Sequence, residues 1–324
     1  MHLRTDITAI GELLIDFTSL KIEKDRAVYE QNPGGAPANV LVAAQKLGKR
    51  TALIGKVGND CFGRFLKSTV ESENICTVGL VVSDEYPTTL AFVTLDEAGD
   101  RSFEFLRRKS ADVMLTESDL DGALLDSCSV LHFGSVSLTD EPSRGATFKA
   151  IARAKEAGAC ISYDPNYRPL LWRDEAEAVE LMRKGMRYAN VIKVADNELT
   201  LLTGETDCLK GARKLVENGA KFSFVTLGER GCCYASASGE CGYVPGFAVD
   251  VVDTTGAGDT FTGAVLSRLI DCKFSPAEGE LEEIVRFANA AGALNTTKRG
   301  AIPAMPSLEE ICALCRRQAN GTSA

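Results

Sequence analysis

Short runs of β-branched and other apolar residues alternate with longer amphipathic segments along most of this chain. The apolar runs predict strands at residues 51–57, 77–82, 130–134, 160–163, 191–194 and 222–227. The amphipathic segments predict helices at residues 36–47, 62–73, 142–157, 176–187 and 208–218. This alternation is typical of an α/β fold with a doubly wound, mostly parallel sheet that helices cover on both faces.

Two charged, β-prone segments interrupt the alternation. Residues 18–31 predict an exposed strand pair, and residues 88–107 predict a hairpin that turns at residues 96–100. Together they would form a small inserted sheet that acts as a lid beside the main sheet. An apolar run at residues 7–15 predicts the first buried strand. Because no linker and no internal repeat divides the chain, we expect a single α/β domain over residues 1–324.

Charge and composition limit the possible partners. The 324 residues carry a net charge of −9 and no basic run, which argues against nucleic acid or an anionic membrane as a partner. No stretch approaches about 18 uncharged apolar residues, and no signal peptide is evident, so we expect a cytoplasmic protein. In that compartment the 11 cysteines are expected to be reduced thiols. A Ser-His-Asp enzyme would have to use His132, which lies inside an apolar run. A single histidine in such a run is usually a core residue, so we do not expect an enzyme of this class.

The stretch Asp253-Thr254-Thr255-Gly256-Ala257-Gly258-Asp259 predicts a turn between a short strand at residues 247–252 and a helix at residues 260–270. Glycines at such a turn let the backbone approach a ligand, and the start of a helix favours negative charge. Asp259 is expected at or near the N-cap. A carboxylate there can deprotonate a hydroxyl group beside a phosphoryl group. The simpler alternative is a tight turn that Asp259 caps.

Several polar residues lie where predicted strands end. Ligands of parallel α/β sheets bind at the carboxyl ends of the strands, so these residues can converge although they are distant in sequence. They are Asp16, Gly34, Gly35, Asp164, Glu198 and Asp259. The chain contains neither a Gly-x-x-x-x-Gly-Lys-Ser/Thr phosphate loop nor a Gly-x-Gly-x-x-Gly sequence after the first strand.

Two segments together resemble the signatures of the ribokinase/PfkB family of carbohydrate kinases. One is Gly34-Gly35-Ala36-Pro37-Ala38-Asn39, and the other is the stretch that ends at Asp259. The resemblance covers essentially the whole chain and implies a ribokinase-like fold. It implies that Asp16, Gly34, Gly35 and Asn39 bind sugar hydroxyl groups. It also implies that Asp259 is the general base and that the backbone N–H groups of Gly256, Ala257 and Gly258 form an anion hole.

The same resemblance implies sites for ATP and for cations. Residues 226–231 resemble the nucleotide loop of the family, so Thr226, Gly228, Gly231 and Asn289 are expected to bind ATP. The family's Asn-x-x-Glu element, which organises Mg²⁺-bound water, reads Ala195-Asp196-Asn197-Glu198 here, and only Glu198 matches. A monovalent cation such as K⁺ would lie near Asp253, Thr255 and residues 296–300.

Within the family the chain is most similar to fructokinases. Residues 102–107 and 164–172 resemble two of their segments, which implies that Phe105 and Arg107 contact the sugar and that Asn166 and Arg168 face phosphate. The expected reaction is ATP-dependent phosphorylation of the 6-hydroxyl group of D-fructose. Because Arg107 also suits a carboxylate, a 2-keto-3-deoxygluconate kinase remains an alternative. A catalytically silent protein that senses sugar or nucleotide is a second alternative. The exposed lid further predicts a homodimer.

Overall fold

The computed structural model describes residues 4–23, 26–95 and 101–319. Its strands are β1 (Ile7–Ile10), β2 (Leu14–Glu23), β3 (Arg26–Gly34), β4 (Thr51–Gly58), β5 (Leu80–Ser83), β6 (Leu90–Leu95), β7 (Arg101–Leu106), β8 (Val130–Gly134), β9 (Cys160–Asp164), β10 (Val191–Ala195), β11 (Phe222–Thr226), β12 (Gly231–Ser236) and β13 (Cys241–Pro245). Its helices are α1 (Ala36–Lys46), α2 (Cys61–Ser72), α3 (Gly122–Ser127), α4 (Ser143–Glu156), α5 (Glu175–Met186), α6 (Asp196–Thr203), α7 (Cys208–Glu217), α8 (Ala257–Asp271), α9 (Glu280–Asn295) and α10 (Leu308–Ala319).

The main sheet contains nine of the described strands, in the order β13-β12-β11-β10-β9-β8-β1-β4-β5. All neighbours pair in parallel except β11 with β12 and β12 with β13, which are antiparallel. Successive residues of a strand point to opposite faces, and Leu53 accordingly belongs to the apolar core on one face while Ile54 belongs to the core on the other. Helices cover both faces. The predicted doubly wound α/β fold is therefore confirmed.

The small sheet contains four described strands in the order β3-β2-β6-β7. This confirms that the two inserted segments pair, but the first lid strand begins earlier than predicted. We expected one strand over residues 7–15, and the structure breaks it at Gly11, whose φ is 152°. The Gly11 N–H donates to the Ile54 carbonyl of the main sheet, and from Leu14 the chain pairs within the small sheet. The predicted turn at residues 96–100 lies outside the described residues.

One further prediction of secondary structure was wrong, and one helix was not predicted. Residues 247–252 have the composition of a strand but do not pair with the described part of either sheet. Val251 and Val252 are more than half exposed, and the Val252 N–H donates to the Thr296 carbonyl instead. We also did not predict α6. It forms because Glu198 accepts a hydrogen bond from the Ala195 N–H at its start and Gly204 ends it in the left-handed conformation.

The cysteines differ from the expectation in one respect. Cys208 and Cys233 form a disulfide, because the start of α7 packs against β12 and brings their Cα atoms within 5.9 Å. The other cysteines among the described residues are free thiols. Within the same residues no helix is both long and apolar enough to cross a membrane. The cytoplasmic location stays a prediction.

Helices α1 and α8 pack directly against each other at Gly263. A Cβ atom at this position would lie 2.7 Å from the Ala43 Cβ and 2.7 Å from the Val40 carbonyl oxygen. Real Cβ atoms do not approach other atoms so closely, so only glycine allows this spacing of the two helices. Because α1 carries Asn39 and α8 carries Asp259, the spacing also sets the distance between these two side chains.

We therefore expect Gly263→Ala to destabilise the protein, because the added methyl group forces the two helices apart. The expected loss is about 1–3 kcal/mol in the free energy of unfolding, measured by urea denaturation. The matched control is Gly145→Ala in α4, where the nearest atom to a new Cβ is the end of the flexible Glu141 side chain at 3.1 Å. The control should be unchanged or up to about 1 kcal/mol more stable. Equal stability of Gly263→Ala and wild type would contradict the prediction.

Candidate active site

A cleft of about 340 Å³ lies between the small sheet and the carboxyl ends of the central strands of the main sheet. Parallel strands of an α/β sheet end at the same edge, so the loops that follow them meet there. The small sheet forms the opposite wall. The predicted site residues that line the cleft are Asp16, Gly35, Asn39, Phe105, Asn166, Arg168, Asp253, Thr255, Gly256, Gly258 and Asp259.

The glycine turn starts helix α8 at the floor of the cleft. Gly256 is the N-cap and has a φ of 81°, and a Cβ atom there would lie 2.6 Å from the Ala301 Cβ. The first N–H groups of a helix have no partner within the helix and carry partial positive charge. Gly258 lines the cleft in this first turn, whereas Ala257 precedes it without lining the cleft. The Ala257 N–H donates to the Thr254 carbonyl at 3.3 Å, which leaves the N–H groups of Gly256 and Gly258 as the candidate donors to an anion.

Asp259 is the third residue of α8 and lies in its first turn, near the N-cap Gly256, as the sequence predicts. Its carboxylate is almost fully buried and holds two side-chain amides. Asn39 Nδ2 donates to Oδ2 at 2.8 Å, and Asn166 Nδ2 donates to Oδ1 at 3.4 Å. Both amides arrive from other elements, so three distant segments meet at one carboxylate.

The pKa of Asp259 lies well above that of an ordinary aspartate. Burial raises this pKa to about 6, and the negative charge of Asp164 adds to the rise. The Asn39 hydrogen bond and the positive charges of Lys193 and Arg168 oppose it. A carboxylate with a pKa in this range is suited to accept a proton near neutral pH.

Lys193 is a site residue that the sequence reasoning missed. It lies in β10, and its Nζ donates to Asp164 Oδ2 at 3.0 Å, with both side chains buried. Burial alone would lower the pKa of Lys193, but the negative charges of Asp164, Glu198 and Asp259 together outweigh it and the pKa is raised. A Cβ atom at Gly258 would lie 2.9 Å from Nζ, so the ammonium group adjoins the glycine turn. The sequence feature that could have revealed this residue is a single lysine inside the otherwise apolar strand β10.

The wall formed by β2 and the start of α1 carries the residues predicted to bind sugar. Burial raises the pKa of Asp16 to about 6. Gly34 packs against the Asp16 carboxylate and does not itself line the cleft, and Gly35, at a φ of 115°, starts α1 against the Glu12 carbonyl. Phe105 lines the cleft from β7. Asp16, Gly35 and Asn39 therefore face the cleft together.

Arg107 is not where the resemblance implies. It does not line the cleft, and its guanidinium group is buried against protein atoms. Its Nε donates to Asp112 Oδ2 at 2.7 Å, and the two other nitrogens donate to Thr139 and Val136. The physical reason is that the Asp112 carboxylate, the Thr139 hydroxyl group and the Val136 carbonyl occupy Nε, Nη1 and Nη2 of the guanidinium group.

The predicted nucleotide residues fall into two groups. Asn166 and Arg168 line the cleft, and Arg168 Nη1 donates to the Asn166 and Tyr167 carbonyls at 3.4 and 3.3 Å. The others lie outside the cleft, around the carboxyl end of β11 and on α9. These are Thr226, Gly228, Gly231 and Asn289. Asn289 is buried, and its Nδ2 donates to the Val244 and Pro245 carbonyls, which ties α9 to β13.

The carboxylates predicted to organise cations are held by backbone N–H groups. Glu198 accepts from the Tyr167 N–H at 2.6 Å and from the Ala195 N–H at 2.8 Å, and burial raises its pKa. Asp253 accepts from Thr255 and from the Gly300 N–H, which closes the loop around the start of α8. The described residues contain no group of three or more His, Cys, Asp or Glu side chains that could hold a metal ion.

Comparison with known sequences gives one family. The profile described as "pfkB family carbohydrate kinase" matches residues 4–308. The probable fructokinase-4 of Arabidopsis thaliana is 44% identical over 96% of this chain and 96% of its own length. The fructokinase-2 of Solanum lycopersicum is 43% identical over the same shares.

Comparison with solved structures agrees. The fructokinase of Xylella fastidiosa with bound ATP superposes with a TM-score of 0.89 at 33% identity and covers 98% of this chain and 100% of that one. The fructokinase of Vibrio cholerae O395, in a form with bound fructose, ADP and calcium ion, has a TM-score of 0.85 at 35% identity and covers 96% and 99%. The match to these structures spans both the main sheet and the small sheet.

The positive charge of Lys193 beside the glycine turn leads to a prediction about the pKa of Asp259. Replacing Lys193 with Gln removes a positive charge that lowers the Asp259 pKa, so this pKa should rise further. The pKa can be followed by NMR titration of ¹³C-labelled aspartate carboxyl groups. Lys67→Gln, on the exposed face of α2, is the control and should leave the Asp259 titration unchanged. An unchanged or lowered pKa in Lys193→Gln would show that Lys193 does not act on Asp259.

Proposed function

This chain belongs to the pfkB family of carbohydrate kinases, and on that basis we propose that it is a fructokinase that transfers the γ-phosphoryl group of ATP to the 6-hydroxyl group of D-fructose. The observation that carries the proposal is the position of Asp259. It is a buried carboxylate with a raised pKa, it lines a cleft, and it belongs to the same helical turn as the backbone donors of the glycine turn. A general base and an anion site are thereby adjacent.

The proposed mechanism needs little covalent chemistry from the protein. Asp259 accepts the proton of the sugar hydroxyl group while the phosphoryl group passes in line from ATP to that oxygen. The Asn39 and Asn166 amides hold the carboxylate in one orientation. The N–H groups at the start of α8 and the Lys193 ammonium group stabilise the charge on the phosphoryl oxygens.

The residues of this chain would hold the two expected cations, Mg²⁺ and K⁺, in different ways. Mg²⁺, which neutralises phosphate charge when bound, prefers phosphate, water and carboxylate oxygens. Glu198, a buried carboxylate that does not itself line the cleft, would orient its water ligands. Backbone N–H groups already hold both Glu198 oxygens, which suits contact through water. A monovalent cation such as K⁺ would be held by the loop that Asp253 and Thr255 organise behind the turn.

The contacts of Arg107 support fructose rather than an acid sugar as the substrate. The sugar would bind through Asp16, Gly35 and Asn39, with Phe105 packing against its apolar face. The cation expected to suit the carboxylate of 2-keto-3-deoxygluconate was Arg107, and Arg107 is occupied by Asp112. The cations that line the cleft, Arg168 and Lys193, are assigned to phosphate in this proposal. The catalytically silent alternative is also disfavoured, because both glycines of the turn and Asp259, which the proposed transfer requires, are present.

The test of the proposed function is a substrate panel with ATP and Mg²⁺. We expect kcat/KM for D-fructose to exceed the values for ribose and for 2-keto-3-deoxygluconate by about tenfold or more, since a site built for one set of hydroxyl groups leaves polar groups unpaired with another sugar. The phosphorylated position is read by ³¹P–¹H NMR of the product. If kcat/KM is highest for 2-keto-3-deoxygluconate, the protein is the alternative kinase. If no sugar is turned over, the protein is the catalytically silent one.

We expect Asp259→Asn to lower kcat by about 10²–10⁴-fold, because the amide cannot accept the proton. Fructose affinity, measured by calorimetry, should change little, since the amide can still hydrogen-bond the hydroxyl group. The matched control is Asp271→Asn at the exposed end of the same helix, where Asp271 pairs with Lys49. The control should retain wild-type turnover.

The pH dependence provides a second check of the same residue. A raised pKa means that Asp259 is protonated below pH of about 6, so wild-type kcat/KM should fall as the pH decreases through this value. Burial also raises the Asp16 pKa to about 6, so Asp16→Asn is compared in parallel. An acid limb that persists unchanged in Asp259→Asn would assign it to another group and remove the proposed base.

We further propose that the protein is a homodimer through the small sheet. Strand β3 is an edge of this sheet over the described residues, and Val28 and Tyr29 on it are exposed apolar side chains, as is Leu20 on β2. An exposed edge with apolar side chains is suited to pairing with a second copy. Light scattering at micromolar concentration should give the mass of a dimer, and Val28→Lys should shift it toward the monomer. A monomeric wild type would contradict the proposal.

A further inference from the structure

Over the described residues the chain passes between the main sheet and the small sheet at four places, and the last follows β7. Arg107 lies directly after β7 and is only 7% exposed. Its guanidinium group makes three hydrogen bonds with three different nitrogens. Nε donates to Asp112 Oδ2 at 2.7 Å, Nη1 to Thr139 Oγ1 at 2.7 Å and Nη2 to the Val136 carbonyl at 3.0 Å.

These partners belong to both parts of the molecule. Val136 and Thr139 lie in the loop after β8, which is a strand of the main sheet. Asp112 is 5% exposed, and its second oxygen accepts from the Thr89 hydroxyl group, directly before β6 of the small sheet. The Arg107–Asp112 pair therefore joins the ends of two small-sheet strands to one loop of the main sheet.

The same linkage spans the two walls of the cleft. Phe105, two residues before Arg107, lines the cleft from the small sheet, and Val136, which accepts a hydrogen bond from Arg107, lines it from the main sheet. The spacing between these walls decides how well a sugar is held. Only the planar fork of arginine reaches three acceptors in these directions, because a lysine ammonium group is a single point.

Arg107 also acts electrostatically on a buried carboxyl group at another crossing. Glu12 lies between β1 and β2, lines the cleft and is 4% exposed. Its Oε1 accepts from the Ala36 N–H at 3.1 Å, which ties the first crossing to the start of α1. Burial raises the pKa of Glu12 to about 7, and the positive charge of Arg107 opposes this rise. The hydrogen bonds of the Arg107–Asp112 pair thus act at two of the four crossings, those before β6 and after β7.

We propose that Arg107 is a positioning residue for the sugar, which sets the distance between the Phe105 and Val136 walls of the cleft without touching the sugar itself. The proposal rests on the proposed sugar kinase activity. Misplacement of a bound substrate by about 1 Å can cost up to ~10²-fold in rate, so a small change in wall spacing is measurable. ATP would be affected less, because its predicted residues are carried by the main sheet.

The experiment compares Arg107→Lys, which keeps the charge and loses the fork, with Asp112→Asn and Thr139→Val, each of which weakens one of its bonds. For Arg107→Lys we expect KM for fructose to rise by roughly tenfold and KM for ATP to stay within about twofold. Asp112→Asn and Thr139→Val should raise the fructose KM in the same direction by smaller factors. The double variant Arg107→Lys/Asp112→Asn should be less than additive, because both changes break one linkage.

The matched control is Arg144→Lys. Arg144 donates to the Leu138 and Thr139 carbonyls of the same loop at 2.8 and 2.7 Å, but from α4 rather than from the small sheet. This variant loosens the loop without releasing the small sheet, so the fructose KM should stay near the wild-type value. If Arg144→Lys and Arg107→Lys raise the fructose KM equally, Arg107 acts only by stabilising the loop after β8. This result would overturn the proposal.

The remaining outcomes also separate the possibilities. A raised fructose KM in Arg107→Lys with no effect of Asp112→Asn and Thr139→Val would mean that Arg107 contacts the sugar directly, which overturns the proposal. An unchanged fructose KM in Arg107→Lys overturns it as well. If Arg107→Lys does not fold, Thr139→Val decides alone, since it removes one acceptor and keeps the side-chain shape. A wild type without sugar kinase activity would reject the proposed function instead.

Discussion

The burial of the Asp259 carboxylate is the constraint on which the rest of the site depends. A buried carboxylate without compensation would be costly, and the fold supplies compensation from several elements. Asn39 comes from α1, Asn166 from the loop after β9, and Lys193 from β10. Because the compensation is incomplete, the pKa stays near 6 rather than returning to that of an exposed aspartate. The energetic cost of burial is thereby the source of the basicity that proton transfer requires.

The ion pair of Lys193 and Asp164 extends this arrangement into the main sheet. The two residues lie on neighbouring parallel strands, β10 and β9, near the ends that face the cleft. A buried pair of this kind contributes little net stability but leaves an uncompensated charge if one partner is removed. The Lys193 ammonium group lies beside Gly258, which gives a physical reason for the placement of the pair. It adds a full positive charge at the start of α8, where the backbone N–H groups carry only partial charge.

Sequence reasoning found the features that are local in the chain. The Gly256–Gly258 turn, Asp259 and the Gly34–Gly35 pair are recognisable because glycine and aspartate at a strand or helix end have few structural alternatives. The break at Gly11 and the exposure of Val251 were not predictable, because apolar runs do not reveal which sheet they join. Lys193 and the partners of Arg107 were missed for a related reason. Their roles depend on which distant residues lie beside them, and one sequence contains no such information.

The hydrogen bond between Asn39 and Asp259 joins residues that are 220 positions apart. Its two ends are held together by the packing of α1 against α8, which itself depends on the chain between them having formed the main sheet. On a ribosome, most of the protein must therefore have left the exit tunnel before the base can acquire its partner. Contacts of such long range also slow folding, because loop closure must precede any gain in stability. The nascent chain is thus expected to be incompetent for its reaction until synthesis is nearly finished, whatever fraction of its secondary structure has already formed.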